Sequence, residues 1–230
     1  ITPVETVYQS SSAWSYTIQD SSWTSGAIYS IRARAKDVSG NFDAVFTTAT
    51  FRFDNQAPAS TVTVPSNGAH LNYIPSQLQG TSYDYGSSGV SSVYLYVQRD
   101  DNWYFDGLDG WNELPQLLSA SAPFGNWTWT VPPAMFTNND GRRFTVLTNA
   151  RDAATNEEGY HATVSFVYDV HSPVASISYP YNNGYISQTG KITGTSYDNP
   201  NGVVRDVFVR VKQTAGAAAG KYWSVNGSSW

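Results

Sequence analysis

Most of the chain consists of short runs in which apolar and polar residues alternate, separated by clusters of turn-forming residues. In residues 92–98, Val93, Leu95 and Val97 fall on one side of an extended chain, and two tyrosines fall on the other. No stretch shows the 3.6-residue periodicity of an amphipathic helix. The pattern therefore predicts an all-β protein made of short antiparallel strands joined by tight turns.

Seven strands of this kind are predicted in the middle of the chain, where the alternation is clearest. They are expected at residues 61–65, 77–83, 92–98, 102–105, 126–131, 143–150 and 162–168. Seven is the strand count of an immunoglobulin-type (Ig-type) sandwich of two packed sheets. The chain has no cysteine, which excludes a sandwich held by the disulfide of antibody domains.

An internal repeat with a period of about 115 residues runs through the sequence. The recurring pairs are Gly-Thr-Ser-Tyr-Asp at 80–84 and 194–198, Ala35-Lys36-Asp37 and Ala150-Arg151-Asp152, Asn41 and Asn156, Asp54 and Asp169, and Pro58 and Pro173. The period is close to the ~100 residues of a single Ig-type domain. The chain is therefore predicted to contain tandem copies of one domain.

The chain enters this repeat out of phase. Residues 58–172 match one complete repeat, whereas residues 1–57 match only a second half and residues 173–230 only a first half. A half-sandwich exposes a sheet face and unpaired edges, so neither half is expected to be stable alone. Three arrangements are open: the chain is a segment of a longer polypeptide, neighbouring copies complete each other head to tail, or the two halves pair within one chain. The tryptophan spacing across a joint from Trp230 to Ile1 fits the second arrangement.

Several short motifs follow one another in a fixed order: Ala-Pro or Ser-Pro, Pro-x-x-Gly, Gly-Thr-Ser-Tyr-Asp, Ser-Gly-Val or Asn-Gly-Val, and Ala-Lys-Asp-Val-Ser-Gly-Asn. In the same order, the first four motifs stand at 57–58 and 172–173; at 65–68 and, with one extra residue, 180–184; at 80–84 and 194–198; and at 88–90 and 201–203. The last motif stands at 35–41. This order resembles that of bacterial Ig-like repeats, which are arrayed in large cell-surface and adhesin-type proteins. The resemblance implies tandem Ig-like seven-stranded antiparallel β-sandwiches at an extracellular or cell-surface location.

Composition narrows the classes of function. Hydrophobic residues make up 40% of the chain, enough to bury a core, so a disordered chain is not expected. The net charge of −5 disfavours nucleic-acid binding, which needs clustered Lys and Arg. No apolar run approaches the roughly 20 residues that cross a bilayer as a helix.

Four polar residues are predicted to meet where one repeat leads into the next. Asp54 ends the first half-repeat, Asp84 follows the second strand of the complete repeat, and Asp152 and Asn156 stand in the loop before its last strand. Ca²⁺ takes oxygen ligands from several loops, and the family resemblance implies Ca²⁺ between consecutive domains. These four residues are therefore candidate ligands for a structural Ca²⁺, and no other cofactor is expected. The alternative is that these residues only form and cap turns.

Aromatic residues are concentrated in the complete repeat. Trp127 and Trp129 alternate as core residues of a strand do. Trp103 and Trp111 stand beside Asp-Gly turns and are the candidates for stacking on a sugar ring. A buried structural role for the same rings is the alternative.

No catalytic constellation is apparent, since His70, His161 and His171 lie in separate turns or linkers. We expect a non-enzymatic structural or adhesive module of a surface protein, fibre or filament, acting as a semi-rigid stalk with short Pro-containing linkers. A carbohydrate- or protein-binding module of a secreted protein is the alternative. The expected partners are neighbouring copies or repeats head to tail, and a host or cell-surface glycan or protein.

Overall fold

A computed structural model describes residues 13–122, 125–159, 162–188, 190–198 and 202–224. These residues form β-strands and two short 3₁₀ helices, η1 (Asp20–Ser22) and η2 (Pro133–Phe136), and contain no α-helix. The all-β prediction is thereby confirmed. No helix in the described part of the chain is long and apolar enough to cross a membrane.

The strands are short and follow the alternating runs of the sequence. In chain order they are β1 (Ile28–Ala33), β2 (Thr47–Arg52), β3 (Ala59–Val64), β4 (Ala69–Leu71), β5 (Gln77–Tyr83), β6 (Val90–Arg99), β7 (Tyr104–Phe105), β8 (Trp111–Asn112), β9 (Leu118–Ala120), β10 (Asn126–Thr130), β11 (Arg142–Asp152), β12 (Ala162–Tyr168), β13 (Val174–Tyr179) and β14 (Thr193–Tyr197). Each of the seven strands predicted in the complete repeat has a counterpart. Three further strands, β4, β8 and β9, have only two or three residues, too few for alternation to reveal.

The complete repeat contains two sheets. One has the order β10-β5-β3, and the other has the order β4-β12-β11-β6-β7-β8 with β9 also pairing with β6. Adjacent strands run antiparallel, as in the pairs β3–β5 and β6–β11. The two sheets together therefore have ten strands, three more than the predicted seven-stranded Ig-like sandwich.

The core of the complete repeat is built around Trp127, which is fully buried. Its indole lies against Gly80 of β5, where a Cβ would come within 2.4 Å of the ring, and its Nε1 donates to the Thr61 carbonyl at 3.0 Å. A glycine is required at this position because any side chain would occupy the space of the ring. On the larger sheet, Phe144 and Phe166 stack with ring centroids 5.5 Å apart.

The chain divides into two compact units. The first comprises residues up to Ala69, Pro75–Met135 and Phe144–Phe166; the second comprises His70–Ile74, Phe136–Arg143 and the residues from Val167 onwards. The predicted boundaries at 57/58 and 172/173 follow the sequence repeat and stay predictions.

In the described part of each half-repeat, two strands form a small sheet. β1 pairs with β2, and β13 pairs with β14. The register of β13–β14, with Val174 opposite Tyr197 and Ser176 opposite Thr195, reproduces that of β3–β5 about 115 positions earlier. The predicted joint between Trp230 and Ile1 lies outside the described residues.

Candidate functional site

Three of the predicted calcium ligands converge in the first unit. One carboxylate oxygen each from Asp54, Asp84 and Asp152 lies within 4.8 Å of the other two. Asp54 comes just after β2, Asp84 directly follows β5, and Asp152 ends β11. The cluster therefore joins the end of one repeat to two loops of the next.

Asp54 is held on both oxygens. Gln56 N and Ser25 Oγ donate to Oδ1 at 3.0 and 3.2 Å, and Ser88 N donates to Oδ2 at 3.0 Å. Burial acts to raise the pKa of Asp54, but the hydrogen bonds from Ser88, Gln56 and Ser25 outweigh it and hold the pKa below its ordinary value. Asp54 is thus ionised at neutral pH and bonded to residues of both repeats.

Asp84 organises the loop that faces Asp54. Its Oδ1 accepts from Gly86 N at 2.9 Å and its Oδ2 from Gly89 N at 2.6 Å. At Gly86 a Cβ would come within 1.6 Å of the Asp54 carboxylate. Only glycine leaves room there for the close approach of the two repeats.

Asp152 is the most buried member of the cluster, with 1% of its surface exposed. Asn156 donates to it twice, from its backbone N to Oδ1 and from Nδ2 to Oδ2, both at 2.8 Å. The same Nδ2 donates to the backbone carbonyl of Asp54 at 3.2 Å. In this geometry the amide nitrogen of Asn156 faces the cluster, so the residue positions two acids and ties the repeats together.

The three carboxylates suit a hard divalent cation. Ca²⁺ binds oxygens at about 2.3–2.6 Å, so two oxygens on one ion can lie up to about 5 Å apart. The spacing within 4.8 Å is in this range. Like charges this close repel one another, and a cation would remove that repulsion.

Parts of the same arrangement recur on either side. Asp37, 115 positions before Asp152, accepts from Asn41 N and Nδ2 at 2.8 and 2.9 Å. These side-chain and backbone hydrogen bonds from Asn41 hold the pKa of Asp37 below its ordinary value. Further along, a Cβ at Gly202 would lie within 2.4 Å of both Asp169 and Asp198, which correspond to Asp54 and Asp84.

A second mixed cluster surrounds Asp169. One atom each from Asp140, Asp169 and His171 lies within 4.8 Å of the others, and His171 Nδ1 contacts Asp140 Oδ2. Asp140 and His171 occupy the repeat positions of Ser25 and Gln56. The recurrence of Ser25-Gly26 as Asp140-Gly141 is the sequence signal that could have added Ser25 to the predicted site. Gly86 has no glycine counterpart in the next repeat, and position 88 recurs as Asn201. Sequence reasoning missed the contacts of Gly86 and Ser88 with Asp54.

The two sugar-stacking candidates differ in their surroundings. Trp103 is 38% exposed. Trp111 is half-buried, with the Arg99 guanidinium 4.6 Å over its ring and the rings of Phe105 and Phe144 at 5.3 and 5.8 Å. The structure therefore does not bring Trp103 and Trp111 together as a pair of open ring faces.

The remaining sequence candidates do not form a catalytic group among the described residues. His70 lies in β4 and His171 precedes β13, while His161 lies outside the described residues. Glu158 is used structurally, because its carboxylate accepts from Ser60 N, Ser60 Oγ and Ala150 N at 2.9, 2.6 and 2.9 Å.

Comparisons with known proteins leave the family open. No protein-family model matches the chain, and no curated protein is significantly similar to it. Among solved structures, a β-1,2-glucanase from Parabacteroides distasonis aligns with 59% of this chain and 17% of its own, at 14% identity and a TM-score of 0.28. A likeness this low carries no argument about fold or activity.

Proposed function

We propose that this chain is a non-enzymatic structural module in which Ig-like β-sandwich repeats follow one another as a semi-rigid stalk. The observation that carries the proposal is the binding of Asp54, at the end of one repeat, by residues of the next. Ser88 N holds its carboxylate and Asn156 Nδ2 holds its carbonyl. A linker fixed on both its side chain and its backbone has little freedom to act as a hinge.

The cation proposed for this junction is Ca²⁺. Asp54, Asp84 and Asp152 supply carboxylate oxygens from three separate segments, and Asn156 orients two of the acids. An ion bound by all three segments would crosslink consecutive repeats and stiffen the stalk. An extracellular or cell-surface location and a place in a fibre or filament belong to the same proposal, and they rest on the family resemblance.

The test is thermal unfolding with excess CaCl₂ and with chelator. Binding at a ligand concentration 100 times Kd stabilises the native state by about 2.7 kcal/mol, so Ca²⁺ should raise the Tm by several degrees. Asp54→Asn should abolish this shift, because it removes the negative charge of the carboxylate to which residues of both repeats donate. Asp109→Asn, the same charge change on an exposed loop, is the matched control and should retain it. An equal Tm with Ca²⁺ and with chelator would refute the calcium junction.

A carbohydrate-binding role is the second candidate, favoured by the exposure of Trp103. Exposed indoles stack on sugar rings. A glycan array probed with the native chain and with Trp103→Ala tests it directly. Binding that is lost in Trp103→Ala would support this role, and absence of binding by the native chain would remove it.

A further inference from the structure

The linker that leaves the complete repeat differs chemically from the linker that enters it. In the entering linker, the Ser25 hydroxyl donates to the carboxylate of Asp54 at 3.2 Å. In the leaving linker, Asp169 takes the place of Asp54 and Asp140 takes the place of Ser25. An ionised carboxylate only accepts hydrogen bonds. A donor has therefore been replaced by a second negative charge, and Asp140 and Asp169 each have an oxygen within 4.8 Å of the other's.

A third carboxylate converges on the same place. It belongs to Asp198, the counterpart of Asp84. A Cβ on Gly202 would lie 2.3 Å from Asp198 Oδ2 and 2.4 Å from Asp169 Oδ2, so these two oxygens are no farther apart than the sum of the two distances. Oδ1 of Asp198 is buried and accepts no hydrogen bond within the described part of the chain. A buried acceptor without a donor is costly, and a bound cation would remove that cost together with the repulsion from Asp169.

An imidazole adds a ligand of a different kind. His171 stands where the entering linker has Gln56. Its Nδ1 contacts Oδ2 of Asp140, and one of its ring nitrogens lies within 4.8 Å of an oxygen of Asp169. The side chain of His171 is 61% exposed, whereas that of Asp140 is 22% exposed. The ring is therefore accessible from solvent, and the carboxylates lie deeper.

An ion pair between His171 and Asp140 alone is the competing explanation of this cluster. A protonated imidazole carries one positive charge, which balances one carboxylate of the three. The buried oxygen of Asp198 would still have no partner. A divalent cation bound by all four side chains accounts for the whole arrangement.

We propose that four side chains form a second metal site, which takes a divalent transition-metal ion of the Zn²⁺ class: Asp140, Asp169, His171 and Asp198. Ca²⁺ takes oxygen ligands, whereas Zn²⁺ takes imidazole nitrogen and carboxylate oxygen and has four ligands in structural sites. The ligands come from the turn before β11, the linker after β12 and the segment after β14. That the ion crosslinks the complete repeat to the next one rests on the proposed structural function.

Calorimetric titration with ZnCl₂ in excess CaCl₂ tests the site. The native chain should bind Zn²⁺, and CaCl₂ should not displace it. His171→Gln installs the residue of the entering linker and should weaken binding at least about 10-fold, since loss of an outer partner of a ligand already costs about 10–100-fold. His70→Gln removes an exposed histidine of β4 and should retain the native affinity. No Zn²⁺ binding by the native chain, displacement by CaCl₂, or equal affinity of His171→Gln and the native chain would overturn the proposal.

Asp140→Ser restores the residue of the entering linker and tests the carboxylate ligand. A serine hydroxyl can donate to Asp169 as Ser25 donates to Asp54, so the variant should fold and should bind Zn²⁺ more weakly than the native chain. Circular dichroism without metal checks the fold. Asp198→Asn should weaken Zn²⁺ binding as well. A folded Asp140→Ser or Asp198→Asn with native affinity would contradict a site of four ligands.

Nuclear magnetic resonance identifies the histidine that binds. Zn²⁺ should shift the ring signals of His171 and leave those of His70 in place, and the reverse result would reduce the binding to an adventitious surface histidine. This site shares no ligand with the calcium junction. A Ca²⁺-dependent Tm shift without Zn²⁺ binding would overturn the second site alone. Zn²⁺ binding at His171 without that shift would support the second site and refute the calcium junction.

Discussion

The complete repeat and the two half-repeats have similar residues at equivalent positions, but the exposed fractions of these residues differ. Val146 is fully buried and Ile31 is 42% exposed; Trp127 is fully buried and Trp14 is 58% exposed. The loop acids differ in burial as well, but they keep the same hydrogen bonds, since Asp37 accepts from Asn41 just as Asp152 accepts from Asn156. Turns in this protein are therefore set locally, whereas burial and sheet extension need the other half of the sandwich.

The largest expected effect is the difference in the free energy of unfolding between substitutions at Trp127 and at Trp14. Trp127→Ala should lower the free energy of unfolding by about 3–5 kcal/mol, because it empties the centre of a packed core. Trp14→Ala should change it by less than about 0.5 kcal/mol in dilute solution, where the ring is exposed. Urea unfolding followed by circular dichroism measures both. Equal effects would mean that Trp14 is already covered in the isolated chain.

Gly86 should show the next largest effect. A valine there would collide with the Asp54 carboxylate, and overpacking of this kind costs about 1–3 kcal/mol. Gly159→Ala, at a glycine with open space around its Cβ direction, is the control and should be nearly neutral. The same unfolding experiment applies, and a neutral Gly86→Val would show that the two repeats are not held as closely as described.

Substitutions of Asp152 and of its counterpart Asp37 should have different effects on the stabilisation by Ca²⁺. Asp152→Asn should remove the Ca²⁺-dependent stabilisation, about 2.7 kcal/mol at 100 times Kd, because only Asp152 is joined there by Asp54 and Asp84. Asp37→Asn should retain it in dilute solution. The measured quantity is the Tm difference between CaCl₂ and chelator for each variant. Loss of the shift in both variants would contradict a single complete site.

The smallest expected effect is on acid stability. Hydrogen bonds from the backbone N–H groups of Leu108 and Gly110 lower the pKa of Asp106, and that of Asp109 adds to them, more than burial raises it. A lowered folded-state pKa means that this stabilisation is present above the unfolded value of about 3.9 and is lost as the pH falls through the folded value. Asp106→Asn should therefore lower stability at neutral pH and flatten its decline below pH ~4. An unchanged pH profile would show that the loop bonds do not persist in solution.

The predicted strands and acids show where sequence reasoning succeeds. The strands predicted at residues 77–83 and 162–168 are β5 and β12 with the same bounds. The convergence of Asp54, Asp84 and Asp152 also followed from the order of the loops. The role of Asn156 as a donor and the covering of Trp111 by Arg99 could not be predicted, since both depend on side-chain directions set by packing.

The sequence by itself determined the all-β architecture, the repeat of about 115 residues and the local turns around its acids. These features depend on periodicity and on residues a few positions apart. Only the tertiary structure decided which apolar rows are buried, which is why residues 90–99 form β6 while the corresponding residues 203–211 form no strand. The physical reason is that a strand gains its hydrogen bonds and a side chain its burial from partners distant in sequence.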